Sequence, residues 1–159
     1  MVQMSTKDVE VFLAEPRFAT FATVSANQIP QLTTVWFLYE QKFFYFGIER
    51  ASVKYKNIKN NSNVSVCIDG DFPDARTLVV YGDTEVIEVE TPETDNLMWE
   101  LTLKYHENEE QARDYQKLIA DLDLILIKLK PSKIIAMDFN KNELNQNSID
   151  WISEIEKIE

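Results

Sequence analysis

Short stretches of alternating or continuous apolar residues, each bounded by turn-forming residues, dominate the chain. FATFATVS (18–25) alternates and is rich in strand formers, so it predicts a strand, and ANQIP predicts a turn. QLTTVWFLY (31–39) predicts the second strand, FFYFGI (43–48) the third and NVSVCID (63–69) the fourth. RTLVVYG and TEVIEVE (76–90) read as two more strands, with Gly82 and Asp83 at a bend or bulge. LDLILIKLK (122–130) and IIAMDF (134–139) return to the strand pattern, split by Pro131.

Between these runs the period changes to that of a helix. Ser5 is placed to cap a helix carrying Val9, Phe12 and Leu13, with Asp8 completing a capping box and Pro16 stopping it. A short helix runs from Ser52 to about Asn60. Thr91 and Pro92 start another, with Leu97, Met98, Leu101 and Tyr105 on one face. Asn108 caps the next, with Ala112, Tyr115, Leu118 and Ile119 turned inward. In the tail, Ile149, Ile152 and Ile155 have helical spacing behind Ser148. The reading is a mainly β domain: six to eight antiparallel strands in a small barrel with peripheral helices.

Composition narrows the function classes. The 159 residues are the size of one domain and are 45% hydrophobic. A formal net charge of -11 argues against nucleic acid and anionic membranes as partners. No apolar run reaches membrane-spanning length, and the first residues lack a signal-peptide pattern, so the expected location is cytoplasmic. One cysteine, Cys67, excludes an intramolecular disulfide, and one histidine, His106, excludes a His-rich metal site. GxSxG, Walker and GxGxxG motifs do not occur.

Against that acidic background, Arg50, Lys54, Lys56 and Lys59 fall within ten residues with no acid among them. They sit on the turn and helix leaving the third strand. Ser52 is a plausible N-cap there, and a helix start with a nearby lysine suits an anion such as phosphate. Phe44, Phe46, Trp36 and Phe37 on neighbouring strands offer an apolar wall. Phosphate plus planar ring describes a nucleotide-like cofactor. The competing reading is a solvated basic helix face, with Ile58, Val53 and Tyr55 inward.

The order of three motifs resembles the pyridoxamine 5'-phosphate oxidase-like superfamily of flavin-binding split barrels. They are Pro30 with Val35-Trp36-Phe37, Phe46-Gly47 with Ser52-Val53-Lys54, and Pro131 with Met137-Asp138-Phe139. The resemblance implies a split barrel over residues 1–140 with a C-terminal tail, 141–159, forming a short helix. It implies a homodimer with flavin mononucleotide (FMN) at the interface, or a deazaflavin in its place. By position, Thr33, Thr34, Val35 and Trp36 would lie beside the flavin ring, and Phe46, Gly47 and Ile48 along the ribityl chain. Ser52, Val53 and Lys54 would hold the phosphate, with Thr77 near the ring. The chain departs from the family pattern at Val53 and Thr33, where relatives place arginines, and at Met137, where tryptophan is usual.

The function so implied is FMN-dependent hydride transfer on a small molecule, with no catalytic side chain named. The alternatives are a noncatalytic flavin- or haem-binding module and a split barrel that acts without a cofactor. His106 reads as a helix-end residue, Cys67 as a small buried apolar residue, and Asp69, Asp71 and Asp74 as turn formers. Glu85, Glu88 and Glu90 read as the wet face of a strand.

Overall fold

Ser5 and Asp8 form the expected capping box, and the helix they start, α1 (Thr6–Ala14), buries Phe12 and Leu13. It opens a computed structural model of the chain that describes residues 2–88 and 91–141. A two-residue strand that the sequence pattern did not signal, β1 (Val2–Gln3), precedes it. The remaining elements are β2 (Ala19–Val24), β3 (Pro30–Val35), β4 (Leu38–Glu40), β5 (Phe43–Glu49), α2 (Val53–Asn60) and β6 (Asn63–Asp69). They continue with β7 (Arg76–Ile87), α3 (Pro92–Lys104), α4 (Glu109–Leu118) and β8 (Leu124–Asp138). The expected helix near Ile149, Ile152 and Ile155 lies outside the described residues.

Every described strand pairing is antiparallel, in the order β3-β2-β6-β7-β8-β5-β4, with β1 added to β8. β3 and β4 end this path on opposite sides, yet only Trp36 and Phe37 separate them in sequence. Three backbone steps cover roughly 10 Å. The sheet must therefore curl until its two edges lie side by side without pairing. The chain is a split β-barrel, and the split falls at Trp36–Phe37.

That seam corrects the expectation of one strand over 31–39. Its Phe37 amide donates to the Tyr105 hydroxyl at 3.0 Å, and its carbonyl accepts from Lys104 Nζ at 3.1 Å. Side chains from α3 and its C-terminal end thus take the place of a strand neighbour. Two expected strand breaks, by contrast, are absent. Residues 76–87 form one strand and 124–138 another, with a register shift where Tyr81 pairs Lys133 and Gly82 pairs Pro131. The bulge tolerates Pro131, which lacks an amide hydrogen. Gly82 is required there, since a Cβ would come within 2.1 Å of the Lys130 carbonyl oxygen.

The barrel interior is filled by Phe12, Phe21, Phe37, Phe44, Phe46, Ile68, Leu78 and Ile127, all essentially fully buried. α2 is tied to the barrel by Asn57. Its buried amide donates to Thr23 Oγ1 at 3.0 Å and Gln31 Oε1 at 3.1 Å. In α4, Ala112 is buried, but Leu118 is 80% exposed rather than inward. At 100° per residue Leu118 lies about 120° around the helix from Ala112, whereas Ile119 returns to its side. Among the described residues no helix is long and apolar enough to cross a membrane.

Candidate functional site

β3 is an edge strand, bonded to β2 on one side only. Its last residues therefore keep backbone polar groups without a sheet partner. Thr34 and Val35 from this edge, followed by Trp36, line a cavity of about 280 Å³. Gly47, Ile48 and Glu49 at the end of β5 form a second wall, and Lys54 in the first turn of α2 a third. The cover comes from the α3–α4 hairpin: Met98, Leu101 and Thr102 from α3, Tyr115 from α4 and Ile119 just beyond it.

Aromatic stacking fixes the seam end of this cavity. The Trp36 and Tyr105 rings stack at 4.6 Å between centroids and 5° between planes. Tyr115 packs on Trp36 at 5.0 Å, and His106 meets it edge-on at 5.7 Å. His106 Nδ1 lies 2.7 Å from the Thr102 carbonyl, as suits its place at the end of α3. The Tyr105 hydroxyl donates to the Arg17 carbonyl at 2.7 Å, and its burial pushes its pKa up. Lys104 Nζ donates to the Leu13 carbonyl at 2.8 Å and lies 3.6 Å from the Phe37 ring centroid. Burial, with the nearby Arg17 charge second, lowers the Lys104 ammonium to about 7.

The four clustered cations separate in space. Arg50 is bound by Glu88 at 2.7 Å and Asp123 at 3.1 Å. Lys59 also approaches Glu88, at 3.7 Å, and these two cations lower the Glu88 pKa, Arg50 chiefly. Glu88 thus belongs to an ion cluster as well as to a wet surface. Among the described residues Lys54 has no ion pair and is the sole cation lining the cavity, with Glu49 the sole acid. Lys56 is exposed and outside the lining.

Of the residues marked from sequence, Thr34, Val35, Trp36, Gly47, Ile48 and Lys54 converge on the one cavity. Phe37, Phe44, Phe46, Ser52, Val53, Thr77 and Thr33 do not line it. Phe46 is fully buried and meets Phe21 edge-on at 4.8 Å, because its pleat faces the barrel interior. Phe44 is a core residue for the same reason and Phe37 is buried at the seam, so of the four expected wall residues Trp36 alone lines the cavity. Ser52 caps α2 by accepting from the Tyr55 amide at 3.3 Å. Val53 is 54% exposed and points neither into the core nor into the cavity. Thr77 donates to Asp69 at 2.6 Å on β7.

Thr33 lies on the opposite pleat from Thr34. Its Oγ1 is buried without a hydrogen-bond partner among the described residues. Cys67 is only half-buried, correcting the expectation of a buried apolar residue. It lies on the opposite pleat from Val64, Val66 and Ile68. Burial, and the Asp69 carboxylate beside it, raise its thiol pKa. Asp74 accepts from Arg76 and Arg17, and its pKa is held well below the usual carboxylate range, chiefly by the hydrogen bond from Arg76. Among the described residues no group of acids, cysteine and histidine is arranged to hold a metal ion.

Sequence reasoning placed Met98, Leu101 and Tyr105 on an inner helix face without connecting them to the site. The signal available was an aromatic-rich helical insertion between two strands.

The arrangement suits a flat, largely apolar ligand with an anionic end. Trp36, Met98, Leu101 and Tyr115 give apolar surface, the free edge of β3 gives polar backbone groups, and Lys54 gives an unpaired cation.

The family model described as pyridoxamine 5'-phosphate oxidase matches residues 5–138. No curated protein matches the chain. Among solved structures, HutZ, the haem storage protein of Vibrio cholerae, is similar with a TM-score of 0.69 and 16% identity, over 86% of this chain and 98% of that one. A FAD-binding protein of Mesorhizobium loti is similar with a TM-score of 0.62 and 14% identity, over 85% of this chain and 93% of its own. An F420 reductase gives 0.60 and 23%, over 79% of this chain and 94% of its own. Likeness at this level of identity speaks for the fold alone.

Proposed function

The chain belongs to the pyridoxamine 5'-phosphate oxidase family, and from that premise we propose that it binds FMN in the cavity between β3, β5 and α2 and serves as a flavin-dependent oxidoreductase. The observation that carries this reading is the convergence of three separated segments, Thr34–Trp36, Gly47–Ile48 and Lys54, on one cavity. In the bound state the flavin would supply hydride transfer to or from a small substrate.

The chain's own residues have three tasks. Lys54, without an ion pair among the described residues and in the first turn of α2, gives the phosphate a charge-assisted donor beside free helix amides. The free edge of β3 offers hydrogen bonds to the polar rim of a ring lying along Thr34 and Val35. Trp36, Tyr115 and Leu101 exclude water from the ring's faces. Side chains lining the cavity contain no histidine or cysteine, and no acid or base of the protein is assigned a proton-transfer step.

A cavity of about 280 Å³ is at the lower limit for a drug-sized ligand, roughly 300 Å³. A second copy of the chain would complete the site. The apolar surface for such contact includes Leu32 on the free edge of β3, 64% exposed, and Phe18 at the cavity mouth, 61% exposed. An isologous homodimer is expected. Light scattering should report twice the 18.5 kDa chain mass, and the single-chain mass at micromolar concentration would contradict it.

A histidine-ligated haem has less support. The sole histidine, His106, is engaged with Thr102 and packed against Trp36 and Tyr115. The deciding measurement is the absorption spectrum of the purified protein with mass analysis of the material that heat releases. Flavin bands and the FMN mass are expected. A haem Soret band, or a colourless protein that does not take up added FMN, would overturn the reading.

A further inference from the structure

Gly47 lies under α3. A Cβ placed there would stand 3.1 Å from Met98 Cε and 3.3 Å from its Sδ, with Leu101 Cδ2 at 3.5 Å. The methionine tip therefore occupies the space that a side chain on β5 would otherwise fill. A glycine inside a strand often marks the close approach of a ligand or another chain segment. Here the approaching group is one flexible side chain.

Met98 also lines a second cavity, of about 200 Å³. That space is bounded by Arg50 and Glu88 at one side and by Thr94 and Asp95 in the first turn of α3. Among the described residues Leu124 is the one other that lines both spaces. Met98 and Leu124 are thus the wall between them. Leu124 is the first residue of β8, where strand pairing to Glu49 fixes its backbone. Methionine has three rotatable side-chain bonds and a soft thioether that adapts to irregular space. Of the two wall residues, Met98 has the longer and more flexible side chain, and it stands on a helix outside the paired sheet.

We propose that Met98 is a size gate: its thioether closes the groove over Gly47, and a ligand occupying the full groove must displace it into the second cavity. The inference rests on the cavity being the ligand site described above, and it makes Met98 a specificity-determining residue for that site. Removing the side chain should join the two spaces and relieve the ligand of displacing it. Enlarging it should block the groove while leaving Lys54 and Trp36 in place.

The test compares the unaltered protein with Met98→Ala and Met98→Phe, using two probes, FMN and the neutral aromatic dye 1-aminoanthracene, by fluorescence titration. Melting curves verify that each variant is folded. Relative to the unaltered protein, we expect about tenfold tighter binding of either probe by Met98→Ala and about tenfold weaker binding by Met98→Phe, a change of about 1.4 kcal/mol each. With methionine methyl groups labelled with carbon-13, the Met98 resonance should shift on FMN addition while that of Met4, buried in the barrel core, stays in place.

If the unaltered protein and Met98→Ala both fail to take up FMN, the flavin reading falls, and the dye decides the gate alone. Tighter dye binding by Met98→Ala would still support it. Dissociation constants that agree within threefold for Met98→Ala and the unaltered protein, for each probe that binds and for the dye in every case, would overturn the gate. The same holds if Met98→Phe misfolds, since the alanine comparison stands without it.

Discussion

The hydroxyl of Tyr105 occupies the place of a missing strand beside Phe37, accepting its amide at 3.0 Å and lying 3.2 Å from its carbonyl. The barrel can stay split at this point because a side chain satisfies backbone groups that would otherwise be buried and unpaired. The same ring stacks on Trp36, so the residue that closes the seam also backs a side chain that lines the proposed ligand cavity. Fold stability and site geometry are coupled through one tyrosine.

Tyr105→Phe should retain the stack and lose the hydrogen bonds. The Phe37 amide and the Arg17 carbonyl would then lack this partner. The expected loss is about 1–3 kcal/mol, the cost of leaving buried polar groups unsatisfied. Urea unfolding should show a lower midpoint at unchanged slope. An unchanged midpoint would mean that water replaces the hydroxyl.

Lys104 gives the stability a pH signature. Its ammonium is lowered to about 7 in the fold, from the usual 10.5. Below pH 7 both states hold the proton, and burial of the charge is a constant cost. Between pH 7 and 10.5 the unfolded chain binds the proton that the folded chain has released, so stability rises with pH. The raised Tyr105 pKa acts in the opposite sense, but only above about pH 10, where the unfolded phenol ionises first. The difference in unfolding free energy between the unaltered protein and Lys104→Met should therefore increase from pH 7 to 9.5, by up to about 1.4 kcal/mol per pH unit. A flat difference over that range would remove the assignment.

Lys54→Ala should weaken FMN binding by about 1.5–3 kcal/mol, the range for a hydrogen bond to a charged group. Riboflavin lacks the phosphate and should bind both proteins alike. Fluorescence-quenching titrations with the two ligands decide it, and equal losses would show that Lys54 does not hold the phosphate.

The chain should not oxidise pyridoxamine 5'-phosphate at an enzymatic rate. Among the described residues Lys54 is the one cation that lines the cavity, and in the proposed complex it is taken by the cofactor. A dianionic substrate needs further charge-assisted donors, for which arginine is best suited. The sequence after Phe139 contains no arginine or histidine, two lysines (Lys141 and Lys157), and the acids Glu143, Asp150, Glu154, Glu156 and Glu159. Pyridoxal 5'-phosphate or hydrogen peroxide formed by FMN-loaded protein at about 1 per second or faster would contradict this.

Local signals were fully legible where the chemistry is local. Ser5 with Asp8, Ser52, Thr91 with Pro92, and Asn108 each start a helix where the side chain reaches an amide three residues on, and that geometry needs nothing from the rest of the molecule. Alternation placed the strands, because a strand with one buried face repeats every second residue. Lys54, Thr34 and Gly47 could be marked by motif order and do share a cavity. What sequence could not supply was the partner of each group across the fold. Arg50 stands among cations in sequence, but folding brings it to Glu88 and Asp123 from segments far along the chain. Pro131 suggests a strand end, yet a bulge opposite Tyr81 and Gly82 lets the strand run through it. Phe37 continues an apolar run, while the curl of the sheet turns that run into a seam where Tyr105 and Lys104 provide the hydrogen bonds. Periodicity and capping are set over a few residues, whereas ion pairing, closure and the Met98–Gly47 contact depend on which distant segments the curled sheet brings together.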